Sequence, residues 1–296
     1  MSAPASAIGT AEALDPGAGS DFWRRFRQSR NARLGSVLVG LVLLAAAVGP
    51  WLAPYRFDDT DLLAVWAEPS RAHLLGGDAL GRDVLSRLVV GARISLLVAV
   101  SVLALTLTVG TAAGMAAGYF GGWVDTLLMR GADIVFAFPE LILAIILVAA
   151  LGPSLLTATL AIAVVYVPRF ARVARTATLT VANRPYIDAA RLASIGHTRI
   201  IFRHVLPNIR TPMIVMTALS MSTAQLAYAA LSYLGFGARP PAADFGAMLA
   251  DAQKFVTFAS WLVIFPGLAL VGIVVALNLC GDAVRDALDP HFERRS

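Results

Sequence analysis

Between Arg184 and Asn208 the chain reads RPYIDAARLASIGHTRIIFRHVLPN, with four arginines, two histidines and one aspartate. Such groups pair charges and donate hydrogen bonds, and at these spacings they do not assemble a catalyst. Asp188 and Arg191 stand three apart, close enough to pair on one helix face. Ala189, Ala190, Leu192 and Ala193 form a small-residue surface that can enter a narrow groove on a partner, where flanking arginines would meet carboxylates. A solvated connector whose arginines only fix orientation in a membrane accounts for the same residues. Elsewhere no catalytic set emerges. His73, His197, His204 and His291 are scattered without HxxxH or HExxH spacing, so no metal site is expected. The phosphate-cradling pattern Gly-x-x-x-x-Gly-Lys-Ser/Thr does not occur, and no Ser, His and Asp triad can be assigned.

A second group of polar residues interrupts apolar sequence. Asp133, Glu140 and Gln225 are costly inside a bilayer, which makes them candidates for lining a polar pathway. Other roles fit them too: Asp133 at a membrane interface, Glu140 capping a break at Pro139, Gln225 bonding a neighbouring helix. Gly110, Gly114 and Gly118 recur every four residues, so they share a helix face that lets another helix approach closely. Packing inside one bundle is the simpler reading of that face, and a moving contact with a second subunit the sharper one. Asp78 and Asp83 fit helix caps. Arg82 and Arg87 fit either fold support or contact with an outside protein.

These residues are set in a very apolar chain. Of 296 residues 58% are hydrophobic and 15% charged, with a mean hydropathy of +0.72. Soluble chains carry about 25% charge. A membrane helix needs about 20 apolar residues, and six runs qualify or nearly do: 34–51, 94–118, 134–151, 155–167 (reaching 170 across Pro168 and Arg169), 213–236 and 261–281. The third is broken by Pro139 and Glu140, and the fourth is short. The backbone finds no water in lipid, so every span is expected to be a helix. The polar stretch before the first run predicts an uncleaved anchor rather than a signal peptide, and residues 1–20, rich in Ala, Gly and Ser, are expected to be disordered. Cys280, the sole cysteine, falls in the last run as a packing residue.

Basic residues collect on the cytoplasmic side of membrane proteins. With the N-terminus inside, seventeen of the 24 basic residues fall on that side and seven outside. Both termini are then cytoplasmic, and so is the charged stretch at 184–208. The net charge of +5 thus reflects membrane orientation and not a nucleic-acid partner. Within the stretch, Asn183 is placed to cap a first helix with Pro185 in its opening turn. Gly196 supplies a left-handed turn to end it. A second helix over Arg199–Val205 is expected to stop at Pro207.

The segment YIDAARLASIGHTRIIFRHVLPN resembles the cytoplasmic Glu-Ala-Ala loop of bacterial ABC-importer permeases, closest to the C-type subunit of dipeptide, oligopeptide and nickel permeases. Asp188, Ala189 and Ala190 stand at the Glu-Ala-Ala positions, and Leu206 and Pro207 at the family's closing Leu-Pro. Glutamate is replaced by Asp188. The family's glycine is replaced by Ser194, with Gly196 two residues on, which predicts a shifted turn. LLGGDALGRDVLSRLVVGARISL (74–96), GYFGGWVDTLLMRGADIVFAFPELILA (118–144), LSYLGFGARPPAADFGAMLADA (231–252) and FPGLALVGIVVALNLCGDAVRDALDP (265–290) resemble further family stretches in order. Gly77 stands where threonine is usual, and Phe245 where tryptophan is.

The resemblance implies an all-α fold of six transmembrane helices, the type I (MetI-like) importer fold, in the bacterial inner membrane. The expected layout is a cytoplasmic tail (1–33), an anchor helix (34–52), a periplasmic loop (53–93), a five-helix permease core (94–282) with its coupling loop at 171–210, and a cytoplasmic tail (283–296). It also implies an ATPase-coupling site at Tyr186, Asp188, Ala189, Ala190, Arg191, Ser194, Gly196, Arg199, Leu206 and Pro207. The implied partners are a homologous B-type permease, two ABC ATPase subunits or a fused pair, a periplasmic or lipid-anchored binding protein, and membrane lipid. This chain would hold no cofactor and catalyse nothing; ATP and Mg would belong to the ATPases. Peptides are the expected cargo, with nickel complexes and glutathione-like molecules as alternatives. A self-powered secondary transporter would need coupling-ion sites in paired broken helices, and only the run at Pro139 is clearly broken. A membrane enzyme would need a clustered catalytic set within the spans, and none is visible.

Overall fold

The computed structural model describes Phe26 and residues 30–288. The expected disorder at 1–20, the basic residues Arg24, Arg25, Arg27, Arg294 and Arg295, and His291 lie outside the described residues. Nine α-helices carry the described chain: α1 Arg30–Leu52, α2 Val84–Phe120, α3 Gly122–Phe136, α4 Glu140–Leu151, α5 Leu155–Ala182, α6 Pro185–Leu192, α7 His197–Tyr233, α8 Phe245–Ala252 and α9 Trp261–Leu288. Among the described residues there is no strand, only one bridge between Gly77 and Asp83. Helices α1, α2, α5, α7 and α9 are long and apolar enough to cross a membrane, and α3 with α4 makes a sixth if the bent pair is one span.

Three spans, α2, α5 and α7, exceed their apolar runs by more than ten residues, each for a local reason. Helix α2 starts at Val84, ten residues before the run, because the Asp83 carboxylate caps it by accepting from the Ser86 amide at 2.8 Å. The arginine in its first turn does not end the run: Arg87 folds back to within 3.5 Å of Asp78. Helix α5 continues past Pro168 to Ala182, its arginines being paired along one side. Helix α7 starts at His197, and Pro207 does not stop it. A five-residue π-turn, Ile201–Val205, sits immediately before Leu206 and Pro207. Wider turns of this kind loosen the backbone ladder, which gives room for a proline ring that would otherwise strike the carbonyl one turn back. The His204 carbonyl beside it accepts from the Asn208 side chain at 2.6 Å.

Between α3 and α4 the path bends by 94°. Pro139 has no amide hydrogen to extend α3 and disfavours helical backbone at Phe138. It stands instead as the extended residue before α4 (φ −58°, ψ 132°). At the other end of α3, Gly121 and Gly122 both take positive φ, 63° and 53°, and reverse the chain directly out of α2.

The C-terminal part of α2 lies against α5, α7 packs on both α5 and α9, and α1 closes the far side against α9 and α2. The glycine face of α2 lets it approach α5 closely. A Cβ at Gly110 would lie 2.5 Å from the Phe170 Cβ, at Gly114 2.3 Å from the Ala171 carbonyl oxygen, and at Gly118 2.8 Å from the Arg175 carbonyl oxygen. All three neighbours belong to α5, so this face packs within the chain.

Candidate functional site

At one end of the bundle α6 and the start of α7 form a short hairpin, and α6 is two-faced. Ile187 and Ala190 are buried among Tyr119, Val181, Ile200 and Val205. Tyr186, Asp188, Ala189, Arg191 and Leu192 face out, with Leu192 87% exposed. A large apolar side chain is thus held outward by a helix with a buried anchor. Ala190 therefore does not belong to the small-residue surface, since it anchors α6 to its own bundle. Asp188 pairs with Arg191 at 3.2 Å, and the Arg191 guanidinium lies 5.1 Å from the Tyr119 ring centre. The Tyr119 hydroxyl is 2.9 Å from His197 Nδ1. Together these contacts tie the hairpin to the end of α2. Arg199 and Pro207 are exposed, and Leu206 packs partly on the hairpin's core.

The turn closing α6 corrects two expectations. The left-handed residue is Ser194, with φ 57°, whereas Gly196 has φ −59° and stands before α7. The Ile195 amide bonds to the Ala190 carbonyl at 3.1 Å and the Ser194 amide to the Arg191 carbonyl at 3.0 Å. This pair of bonds is the glycine-type helix stop known as the Schellman motif. The turn stays where the family's glycine would be, and is not shifted to Gly196. Asn183 does not cap α6 either: it ends α5, and Arg184 takes the position before Pro185 with no side-chain cap bond.

A second feature runs along α5. Arg169, Arg172 and Arg175, spaced by three, pair with Glu140, Asp133 (2.6 Å) and Asp125 (2.5 Å) from the bent α3–α4 arm. Arg172 also lies 4.2 Å from the Phe136 ring centre, and Arg169 5.2 Å from that of Tyr166. The structure thus brings Asp133 and Glu140 onto one face and leaves them about half exposed, at 50% and 48%. Beside Glu140 lies a mostly apolar cavity of about 360 Å³ lined by Tyr166, Thr223 and Leu226. Gln225 does not join them. It is 1% exposed, and its Oε1 has no hydrogen-bond partner among the described residues. Sequence reasoning missed Asp125 and the role of the arginine row. The i, i+3, i+6 spacing of Arg169, Arg172 and Arg175 was the available signal for a shared face.

Residues 110–294 match the family described as binding-protein-dependent transport system inner membrane component, and residues 18–69 match the N-terminal transmembrane domain of oligopeptide transport permease C. The chain is 47% identical over 281 residues to the dipeptide transport system permease protein DppC of Escherichia coli K12, with 93% of each chain covered. It is 43% identical over 279 residues to the di/tripeptide transport system permease protein DppC of Pseudomonas aeruginosa, with 92% of each covered. The DppC of Haemophilus influenzae is 41% identical over 282 residues, covering 93% of this chain and 95% of the relative.

Proposed function

This chain belongs to the family of inner-membrane components of binding-protein-dependent transport systems, and from that premise we propose that it is the C-type permease subunit of an ATP-driven importer of di- and oligopeptides. The cargo follows from the peptide-transport names of its relatives. The remaining parts are a homologous B-type permease, two ABC ATPase subunits or a fused pair, and a binding protein outside the membrane. ATP and Mg are held by the ATPases, and this chain transmits their motion.

The observation that carries the reading is the hairpin. It shows an exposed Ala189 and Leu192 to a partner, is anchored by buried Ile187 and Ala190, and leads without a break into the 37-residue α7. In the proposed cycle it lies on the cytoplasmic side, where α6 seats in a groove on the ATPase. ATP binding brings the two ATPases together and carries both hairpins inward. Helix α7 tilts with its hairpin, and α2 follows through the Tyr119–His197 contact. The pathway then opens outward to receive peptide from the binding protein, and hydrolysis resets it. Such a cycle needs only that ATP bind the two arrangements with different affinity. The arginine–carboxylate face of α5 fits the side turned to the B-type permease and the pathway.

Ala189→Arg tests this. It places bulk and charge on the outward face of α6 without touching its buried anchors. In proteoliposomes holding the whole transporter, the variant is expected to melt as wild type does, to lose co-purification with the ATPase, and to stop peptide uptake. Wild-type uptake by Ala189→Arg, or uptake with no ATPase subunit present, would defeat the proposal.

A further inference from the structure

At the end of the bundle opposite the hairpin, the N-terminal turn of α2 and helix α8 enclose two adjoining cavities. One, of about 290 Å³, is lined by Asp78, Arg82, Arg87, Asp251, Lys254 and Phe255. The other, of about 210 Å³, shares Arg82, Arg87, Ala250 and Asp251 and adds Arg239. Arg87 is 2% exposed and its Nη1 has no hydrogen-bond partner among the described residues. Its nearest carboxylate, Asp78, is already occupied. Asp78 Oδ2 accepts from Arg82 Nε at 2.7 Å, and Oδ1 accepts from the Leu80 and Arg82 amides at 2.8 and 2.9 Å. Arg87 is left with a 3.5 Å approach to the same oxygen.

The charges around the cavities do not balance. Arg82, Arg87, Arg239 and Lys254 face only Asp78 and Asp251. Asp244, the further carboxylate acting on Arg87, lines neither cavity; it accepts from Ser232 at 2.5 Å, and burial raises its carboxyl above the ordinary range. A buried guanidinium with an unmet N–H is costly, and a carboxylate is the acceptor that best fits its fork. Leu80, Met248 and Leu262 give the larger cavity an apolar wall. Asp251 is exposed at the rim and forms no ion pair among the described residues, which leaves it free for an ammonium group.

We propose that these cavities are a binding site for a small carboxylate-bearing molecule, with its carboxylate on Arg87 and Arg82 and its apolar part against Met248 and Leu262. A short peptide supplies this chemistry, with its ammonium group toward Asp251. A free monocarboxylate supplies the anion alone. The site stands on the cavity and its charges, not on the import cycle, and so it is tested without nucleotide or binding protein.

The test is calorimetric titration of the complete purified transporter in nanodiscs with alanyl-alanine, alanyl-alanine amide and acetate. Alanyl-alanine is expected to bind, with the amide at least about tenfold weaker, the loss of one charge-assisted pair. Ala250→Phe fills both cavities and leaves every charge in place; it is expected to abolish the signal while its melting temperature reports a folded chain. Asp251→Asn, an exposed change, is expected to weaken the dipeptide and leave acetate unchanged. Acetate as tight as the dipeptide would support the site and identify free monocarboxylates as its source. Equal binding of dipeptide and amide, undiminished binding in Ala250→Phe, or no binding by any probe at millimolar concentration would overturn it, leaving Nη1 to water.

Discussion

Ser194 carries the turn that joins α6 to α7, and Ser194→Gly perturbs that turn without removing a contact. With φ at 57°, Ser194 stands in left-handed backbone. A side chain costs about 1–2 kcal/mol there. Glycine avoids that cost and gives back about 0.5–1 kcal/mol in the entropy of the unfolded turn. The net expectation is stabilisation by roughly 0.5–1 kcal/mol, which slows local opening by about two- to fivefold. The bonds that report it are Ile195 N–H to Ala190 and Ser194 N–H to Arg191. Hydrogen exchange of the peptide covering 185–200, followed by mass spectrometry, reads both. Exchange in Ser194→Gly is expected to slow in that peptide alone. Gly196→Ser is the matched control: Gly196 has φ −59° and nothing within 4 Å of an added Cβ, so little change is expected. Unchanged or faster exchange in Ser194→Gly, or a loss in Gly196→Ser as large as the expected gain, would refute the assignment of the stop to Ser194.

Two further predictions concern stability of the bundle. Gly114→Ala puts a methyl 2.3 Å from a backbone oxygen of α5 and should cost about 1–3 kcal/mol or more as the helices part, lowering the melting temperature in detergent; Gly131→Ala meets nothing within 4 Å and should be neutral. Asp244 is the second case: burial, opposed by bonds from Ser232 and the α8 amides, holds its carboxyl above the ordinary 3.8. The folded chain thus binds a proton that the unfolded chain releases first, and stability declines as pH rises from about that ordinary value through the raised one. Asp244→Asn keeps the acceptor for Ala247 and Ser232 and should flatten that decline in a pH series of thermal melts. Asp244→Ala loses both bonds and should cost about 1–3 kcal/mol.

The membrane-spanning character was legible because apolar runs such as 94–118 have no soluble counterpart. Span ends were not, because hydropathy sees the charge of Arg87, Arg169 or Arg172 and not the partner that neutralises it. Asp83 was legible as a cap, since a carboxylate before an apolar run has one local task. Pro207 misled because a proline's effect depends on the preceding backbone, and a π-turn changes it. The hairpin was placed by its charge pattern, but its inward face was not: on two turns of helix, Ala189 and Ala190 differ only in which one meets Ile200 and Val205. The Arg169–Glu140, Arg172–Asp133 and Arg175–Asp125 pairs join residues 29, 39 and 50 apart, and they meet because both α3 and α4 pack back on α5.

Helix α7 has a geometric consequence as a lever. Its 37 residues make a rod about 56 Å long. A tilt of about 5° applied at His197 displaces Tyr233 by about 5 Å, close to the 4.7–4.9 Å that separates neighbouring extended chains. The π-turn, and the ladder bond missing at Pro212, are places where the rod can absorb such a push instead of passing it on. The stiffness of these places therefore sets how much of any displacement at His197 reaches Tyr233.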